Sequence, residues 1–210
     1  LKGAFDAINA GTHTGAIQID FNSNTTETAP AVLNSSGAGS ASYTSVYIRP
    51  VVDGITITTN YSTSGRGVIE LNSASAVTID GDNPNTGGTN RNLTITNGAT
   101  NTTTYTSAIR IAMGTASPYL AANNVTIKNG SATSQNSSLI TSTTGAGNTT
   151  FGIVAGPGGG ASVSALASVT TAMNASATVN NFIVDNNTIN QCARAIGFLG
   201  GVAANTSNIN

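Results

Sequence analysis

Short runs with Val, Ile or Leu at every second position recur along the whole chain, and no other feature constrains its fold as strongly. They read Ala16-Ile17-Gln18-Ile19, Val46-Tyr47-Ile48-Arg49, Ile55-Thr56-Ile57-Thr58, Val68-Ile69-Glu70-Leu71, Ala76-Val77-Thr78-Ile79 and Asn92-Leu93-Thr94-Ile95. Further on stand Ala108-Ile109-Arg110-Ile111, Asn124-Val125-Thr126-Ile127, Phe151-Gly152-Ile153-Val154, Asn181-Phe182-Ile183-Val184 and Ala195-Ile196-Gly197-Phe198. A period of two over so few residues puts alternate side chains on opposite faces of a β-strand with one face buried. Asn, Gly, Asp and Ser bound the runs, and these residues turn the chain.

The runs sort into columns. One starts at Val68, Ala108, Phe151 and Ala195, at intervals of 40, 43 and 44 residues. A second holds Val77, Val125 and Phe182; a third holds Ile55, Leu93 and the weaker Ser138-Leu139-Ile140. Three strands per repeat with polar corners predict an all-β parallel β-helix, each strand lying about 4.8 Å from its equivalent in the next coil. Most gaps leave no room for helical crossovers. The rival is a β-sandwich of about eleven short strands with Gly-rich turns. Sandwiches show hairpin signals and larger aromatic core residues, whereas the recurrence of Asn-Val-Thr-Ile and its variants favours stacked equivalence. Asn123-Asn124, Asn180-Asn181 and Asn186-Asn187 adjoin strands where coils must turn. Asn tolerates the left-handed backbone region, and its side chains can bond from coil to coil.

The ends and two insertions depart from the repeat. In residues 1–11, Leu1, Ala4, Phe5 and Ile8 share one helical face and Gly11 is a stop signal. This predicts a short N-terminal capping helix over the open end of the core. No such cap is seen at Asn205-Thr206-Ser207-Asn208-Ile209-Asn210, so the chain is expected to continue or to stack on another copy. The start at Leu1 fits a processed product or a piece of a longer chain. Residues 141–150 bulge from the pattern, and residues 156–177 form a surface insertion, either a loop or a short helix spaced by Val163, Leu166 and Val169. Residues 1–210 are expected to form a single β-helix domain.

Only 7% of residues are charged and the net charge is -1, which excludes a basic face neutralising many phosphates. No apolar run reaches about 18 residues, so no helix is expected to cross a membrane. Cys192 is the single cysteine, which excludes an internal disulfide and a cysteine-built metal site.

Function must therefore sit on outward positions. Three residues beyond the buried Val46, Val77, Val125 and Phe182 come Arg49, Asp80, Lys128 and Asp185, with alternating signs. The same rule sets Glu70 beside Arg110. We read these as a solvated charge ladder, each opposed pair contributing about 0.2–1 kcal/mol. The competing reading is a polysaccharide-cleaving groove with an Arg or Lys base and Asp-held calcium. Alternating charges would neutralise such a site, and calcium wants converging carboxylates. Asp80 with Asp82, or Asp53 with Asp80, are the carboxylate pairs a glycosidase reading would use, but Asp-Gly turn chemistry already explains them. His13 stands alone in a loop, and Cys192 reads as a small packed residue. Tyr43, Tyr47, Tyr105 and Tyr119 are candidates to stack on sugars, without the spacing of a platform. Thr56, Thr58, Thr94 and Thr96 share one face, with Thr78 and Thr126 on the next. Such an array suits an ice-binding face, though Thr is also simply a good strand former. No catalytic, cofactor-binding or metal-binding residue is assigned.

Ala4-Phe5-Asp6-Ala7-Ile8-Asn9, Gly15-Ala16-Ile17-Gln18-Ile19, Thr25-Thr26-Glu27-Thr28, Ser40-Ala41-Ser42-Tyr43-Thr44-Ser45 and Ala76-Val77-Thr78-Ile79-Asp80-Gly81 carry a resemblance that covers most of the chain. It resembles β-helix modules of large secreted or cell-surface proteins of Bacteroidetes-type bacteria. The resemblance implies a right-handed parallel β-helix, an extracellular location and adhesive or unassigned roles, and it brings no catalytic residues. The expected function is a structural or adhesive module, with end-to-end stacking into a stalk or filament left open. The alternative is a polysaccharide-binding or polysaccharide-degrading domain, and the lesser one an ice-binding face. Expected partners are another copy or a polysaccharide or cell-surface ligand, with no nucleic acid and no cofactor.

Overall fold

The computed structural model describes residues 1–59, 65–99, 106–134, 150–166 and 171–200. One helix, α1 (Lys2–Asn9), precedes fifteen strands. The first coil is β1 (Gly15–Phe21), β2 (Thr25–Glu27) and β3 (Ala31–Asn34); the second is β4 (Tyr43–Pro50), β5 (Ile55–Thr59) and β6 (Gly67–Asn72). The third is β7 (Val77–Asp80), β8 (Leu93–Asn97) and β9 (Thr106–Met113); the fourth is β10 (Val125–Lys128), β11 (Gly130–Ser134) and β12 (Thr150–Pro157). The fifth is β13 (Phe182–Asp185), β14 (Thr188–Asn190) and β15 (Arg194–Phe198). They form three parallel five-stranded sheets: β1-β4-β7-β10-β13 (first), β2-β5-β8-β11-β14 (second) and β3-β6-β9-β12-β15 (third). This is a parallel β-helix with three strands per coil, and the sandwich is excluded.

In the first sheet Val46, Val77, Val125 and Phe182 stand in one register, as the alternation requires. Their side chains join Ile48, Ile57, Ile79, Ile95 and Ile111 in one apolar column within the coils. Burying each contributes roughly 1.5–3 kcal/mol before entropy is counted. Asn124, Asn129, Asn181 and Asn186 hold the corners with φ near +50°. The Asn181 amide donates to Asn124 Oδ1 at 2.8 Å and that of Asn186 to Asn129 Oδ1 at 2.9 Å.

Two strand assignments change. Phe151 lies opposite Ser107 and Arg194, so Gly152, not Phe151, is level with Val68, Ala108 and Ala195. Space explains the shift: a Cβ at Gly152 would fall 2.2 Å from the Ile189 side chain, while Phe151 turns outward against Val154 and Leu166. The place after β8 in the second sheet belongs to β11, where Gly130 and Ala132 oppose Leu93 and Ile95. Its small residues give no apolar alternation. Ser138-Leu139-Ile140, expected in that place, lies outside the described residues, as do 205–210 and all of 141–150 except Thr150.

The cap forms as expected, with Phe5 and Ile8 fully buried. The Asn9 amide copies a strand: it donates to the Val32 carbonyl at 2.8 Å and accepts from the Asn34 N–H at 2.9 Å, satisfying the free edge of β3. Glu27, at the end of β2, accepts from the Leu1 and Lys2 nitrogens at the start of α1.

The insertion begins later than expected, because β12 continues to Pro157. From Gly158 its described residues hold no helix and run as a strap over the outer face of the third sheet, before Met173, Ala177 and Val179 rejoin the core. Every residue of β6 and β9 is consequently buried, whereas β5 and β8 alternate. No described helix is long and apolar enough to cross a membrane.

Candidate functional site

The three sheets present three different outer faces. On the first, the expected ladder is real and one step longer: Asp20 pairs with Arg49 across β1 and β4, Asp80 with Lys128, and Lys128 neighbours Asp185. Asp20 stands just past the Ala16-Ile17-Gln18-Ile19 alternation, on the part of β1 that this pattern does not mark. Arg49 Nε lies 2.9 Å from Asp20 Oδ1, and Lys128 Nζ 3.1 Å from Asp80 Oδ2.

Asp80 is the centre of this face and is not solvated: it is 5% exposed. The Tyr47 hydroxyl donates to it at 2.6 Å, the Asn129 amide at 2.9 Å and the Asp82 N–H at 3.1 Å. Burial alone would raise its carboxyl pKa, but these donors together with Lys128 hold it below the usual carboxylate value. Burial, with the Asp80 carboxylate beside it, pushes the Tyr47 hydroxyl up to about 12.

The other candidate residues do not converge on Asp80 as a reactive set. Asp82 accepts from the Asn90 N–H at 2.7 Å, and Asp53 from the Asn83 amide and the Thr86 hydroxyl at 2.7 and 2.8 Å. The Asp53 bonds tie its turn to the loop of the next coil, and the Asp82 bond closes that loop on itself, so both carboxylates serve loop structure rather than the local Asp-Gly turns expected. Among the described residues no three His, Cys, Asp or Glu side chains gather as a metal-holding group. Tyr43 is buried, its hydroxyl donating to the Asn34 carbonyl, and Tyr105 lies outside the described residues. Burial pushes the Cys192 thiol pKa up, away from the reactive thiolate.

On the third sheet Glu70 does stand beside Arg110, but the pair is buried rather than solvated. Arg66 grips the Glu70 carboxylate with two bonds of 2.7 Å, and Arg110 Nη1 lies 3.6 Å from it. Arg110 also donates to the carbonyls of Gly65, Ser164 and Pro157 at 3.0, 2.8 and 2.7 Å. Two of these belong to β12 and its strap, which the strand pattern does not reveal. Burial lowers the Arg110 pKa to about 10, with Glu70 opposing the fall.

The outward positions of the second sheet carry no charge; Glu27, at the end of β2, is buried. Thr26, Thr58, Thr96 and Thr133 form one outward column, and Thr56, Thr94, Ser131 and Thr188 another. The sequence showed the middle of both columns; Ser131, Thr133 and Thr188 sit on strands too weakly patterned to find.

A groove of about 570 Å³ lies between α1 and β1, lined by Ala4, Ile8, Ala16, Ile17 and Ile19 together with His13 and Asp20. Comparisons with known protein families, curated proteins and solved structures return no match for this chain.

Proposed function

We propose that the chain is an extracellular structural or adhesive module, a stiff β-helix segment that spaces or displays surfaces in a larger assembly. The observation that supports this reading is the parallel stacking of equivalent strands in all three sheets through five coils. A solenoid of this kind can lengthen coil by coil without loss of stability, because each coil adds its own interface with its neighbour. The polar groups of the first sheet are consumed in pairing, so its charges brace the rod.

The test is a glycan array combined with a polysaccharide-turnover screen on the purified chain. Retention on a glycan or surface without release of reducing or unsaturated ends is the expected result. Measurable turnover overturns it in favour of the degrading alternative. The two hydroxyl columns of the second sheet favour one further reading, an ice-binding face: strands repeat at about 4.8 Å and same-face residues at about 6.6 Å, a flat lattice of methyls and hydroxyls. Thermal hysteresis that vanishes on Thr94→Lys would establish it, and its absence would retire it.

A further inference from the structure

We propose that the unpaired edge of β1 is a strand-addition site, taking an extended segment of pattern apolar–polar–apolar–basic from a partner polypeptide. Among the described residues, β1 is a terminal strand of the first sheet, with β4 its one neighbour. The cap closes the coil unevenly: α1 satisfies the β3 edge through Asn9 and meets the end of β2 through Glu27, and the groove lies between it and β1. Along the sheet, Val46, Ile48, Val77, Ile79, Val125 and Ile127 are 0–3% exposed, yet the equivalent Ile17 and Ile19 are half-buried. What they lack is a further strand. An edge with free N–H and C=O groups, beside a groove that accepts alternate side chains, is the geometry of β-augmentation.

The charge column selects the occupant. Along β1, β4, β7, β10 and β13 it runs Asp20, Arg49, Asp80, Lys128, Asp185, alternating throughout. Asp20 ends it with its side chain 40% exposed. A Lys or Arg on the added strand continues the alternation. A second copy adding its β13 would set Asp185 against Asp20, and like charges directly opposed are destabilising. The preferred occupant is therefore a different segment, and joining of copies through this edge is disfavoured.

The probe is a capped peptide copied from Asn123–Gly130, which carries Val125, Ile127 and Lys128 in the required spacing. Its binding is read by fluorescence anisotropy and by amide exchange. The expected result is slowed exchange confined to residues 15–21, and binding about fivefold tighter than that of the same peptide bearing Lys128→Glu. Asp20→Asn in the protein should bring the two peptides within about twofold of each other. No binding at about 1 mM peptide, equal binding of both peptides, or protection on β13 instead of β1 overturns the proposal. Sedimentation of the protein alone supplies the last arm: self-association that blocks the β1 edge would identify a second copy as the occupant and overturn it too. The peptide pair needs no protein variant, so a misfolded Asp20→Asn chain would not blunt the test.

Discussion

On the first sheet Lys128 is 36% exposed while it pairs with Asp80, and Arg49 and Asp20 meet largely in water; on the third sheet Arg110 and Glu70 are 1% and 0% exposed. Both systems arise from one rule, opposite charges on neighbouring parallel strands. The strap from Gly158 onward makes the difference. Without it, Glu70 and Arg110 would be another rung in water. With it, both charges are desolvated, and two Arg side chains, the Gly67 N–H and three backbone carbonyls converge on them, leaving the buried Arg110 Nε without a hydrogen-bond partner. Burying a charge requires several partners; leaving it at the surface requires almost none.

The largest effect should come from breaking the buried set. Glu70→Ala leaves Arg66 and Arg110 without their carboxylate, and urea unfolding should report a loss of about 3–5 kcal/mol. Replacing both members, Glu70→Leu with Arg110→Met, should recover most of it, since apolar residues of similar volume avoid desolvation. A double variant as unstable as Glu70→Ala would show that the strap needs the guanidinium itself as its anchor.

Lifting the strap comes next. Gly159 has its missing Cβ position 2.4 Å from the Ala112 carbonyl oxygen and 2.8 Å from Asn72 Oδ1, and its N–H donates to the Met113 carbonyl. Gly159→Ala should cost about 1–3 kcal/mol and speed amide exchange over the strap. In that background Glu70→Ala should cost only about 1 kcal/mol more, because the pair would then resemble its counterparts in water. An unchanged cost would locate the burial in the sheet rather than in the strap.

Asp80 lies between the two extremes. Its carboxyl pKa is lowered in the fold, so it adds stability above the unfolded value near 3.9, and that contribution disappears as pH falls through the folded value. Asp80→Asn should cost about 1–3 kcal/mol at pH 7 and flatten the stability curve below about pH 4. A variant whose acid profile matches the parent chain would make Asp80 a bystander and shift the acid response to the other carboxylates.

How much of this was legible in the sequence follows from what alternation can encode. Val77, Val125 and Phe182 gave the first sheet, and with it the pairing of Asp80 with Lys128. Leu1, Phe5 and Ile8 gave the cap. A period-two pattern reports one buried face against one wet face, and so it loses its contrast in β12, where both faces are covered. It is equally silent in β11, where Gly130 and Ala132 are too small to mark a buried face. The burial of Glu70 and Arg110 depends on Pro157 and Ser164, both about fifty residues beyond Arg110, arriving through backbone carbonyls, which every residue type supplies. The groove at β1 depends on where α1 does not reach, and helix spacing does not specify that.

The smallest effect should be found at the outermost rung, and it measures the solvent end of the comparison. Arg49 meets Asp20 with both side chains partly in water, so its charge gains little from the pairing. Arg49→Ala should change stability by about 0–1 kcal/mol at low salt, and by less at 1 M salt, where the screening length falls to about 3 Å. Glu70→Ala should be nearly indifferent to the same salt, because mobile ions cannot enter beneath the strap. Equal salt sensitivity at the two sites would mean that water reaches Glu70, and burial of the third-sheet pair could no longer account for its larger cost.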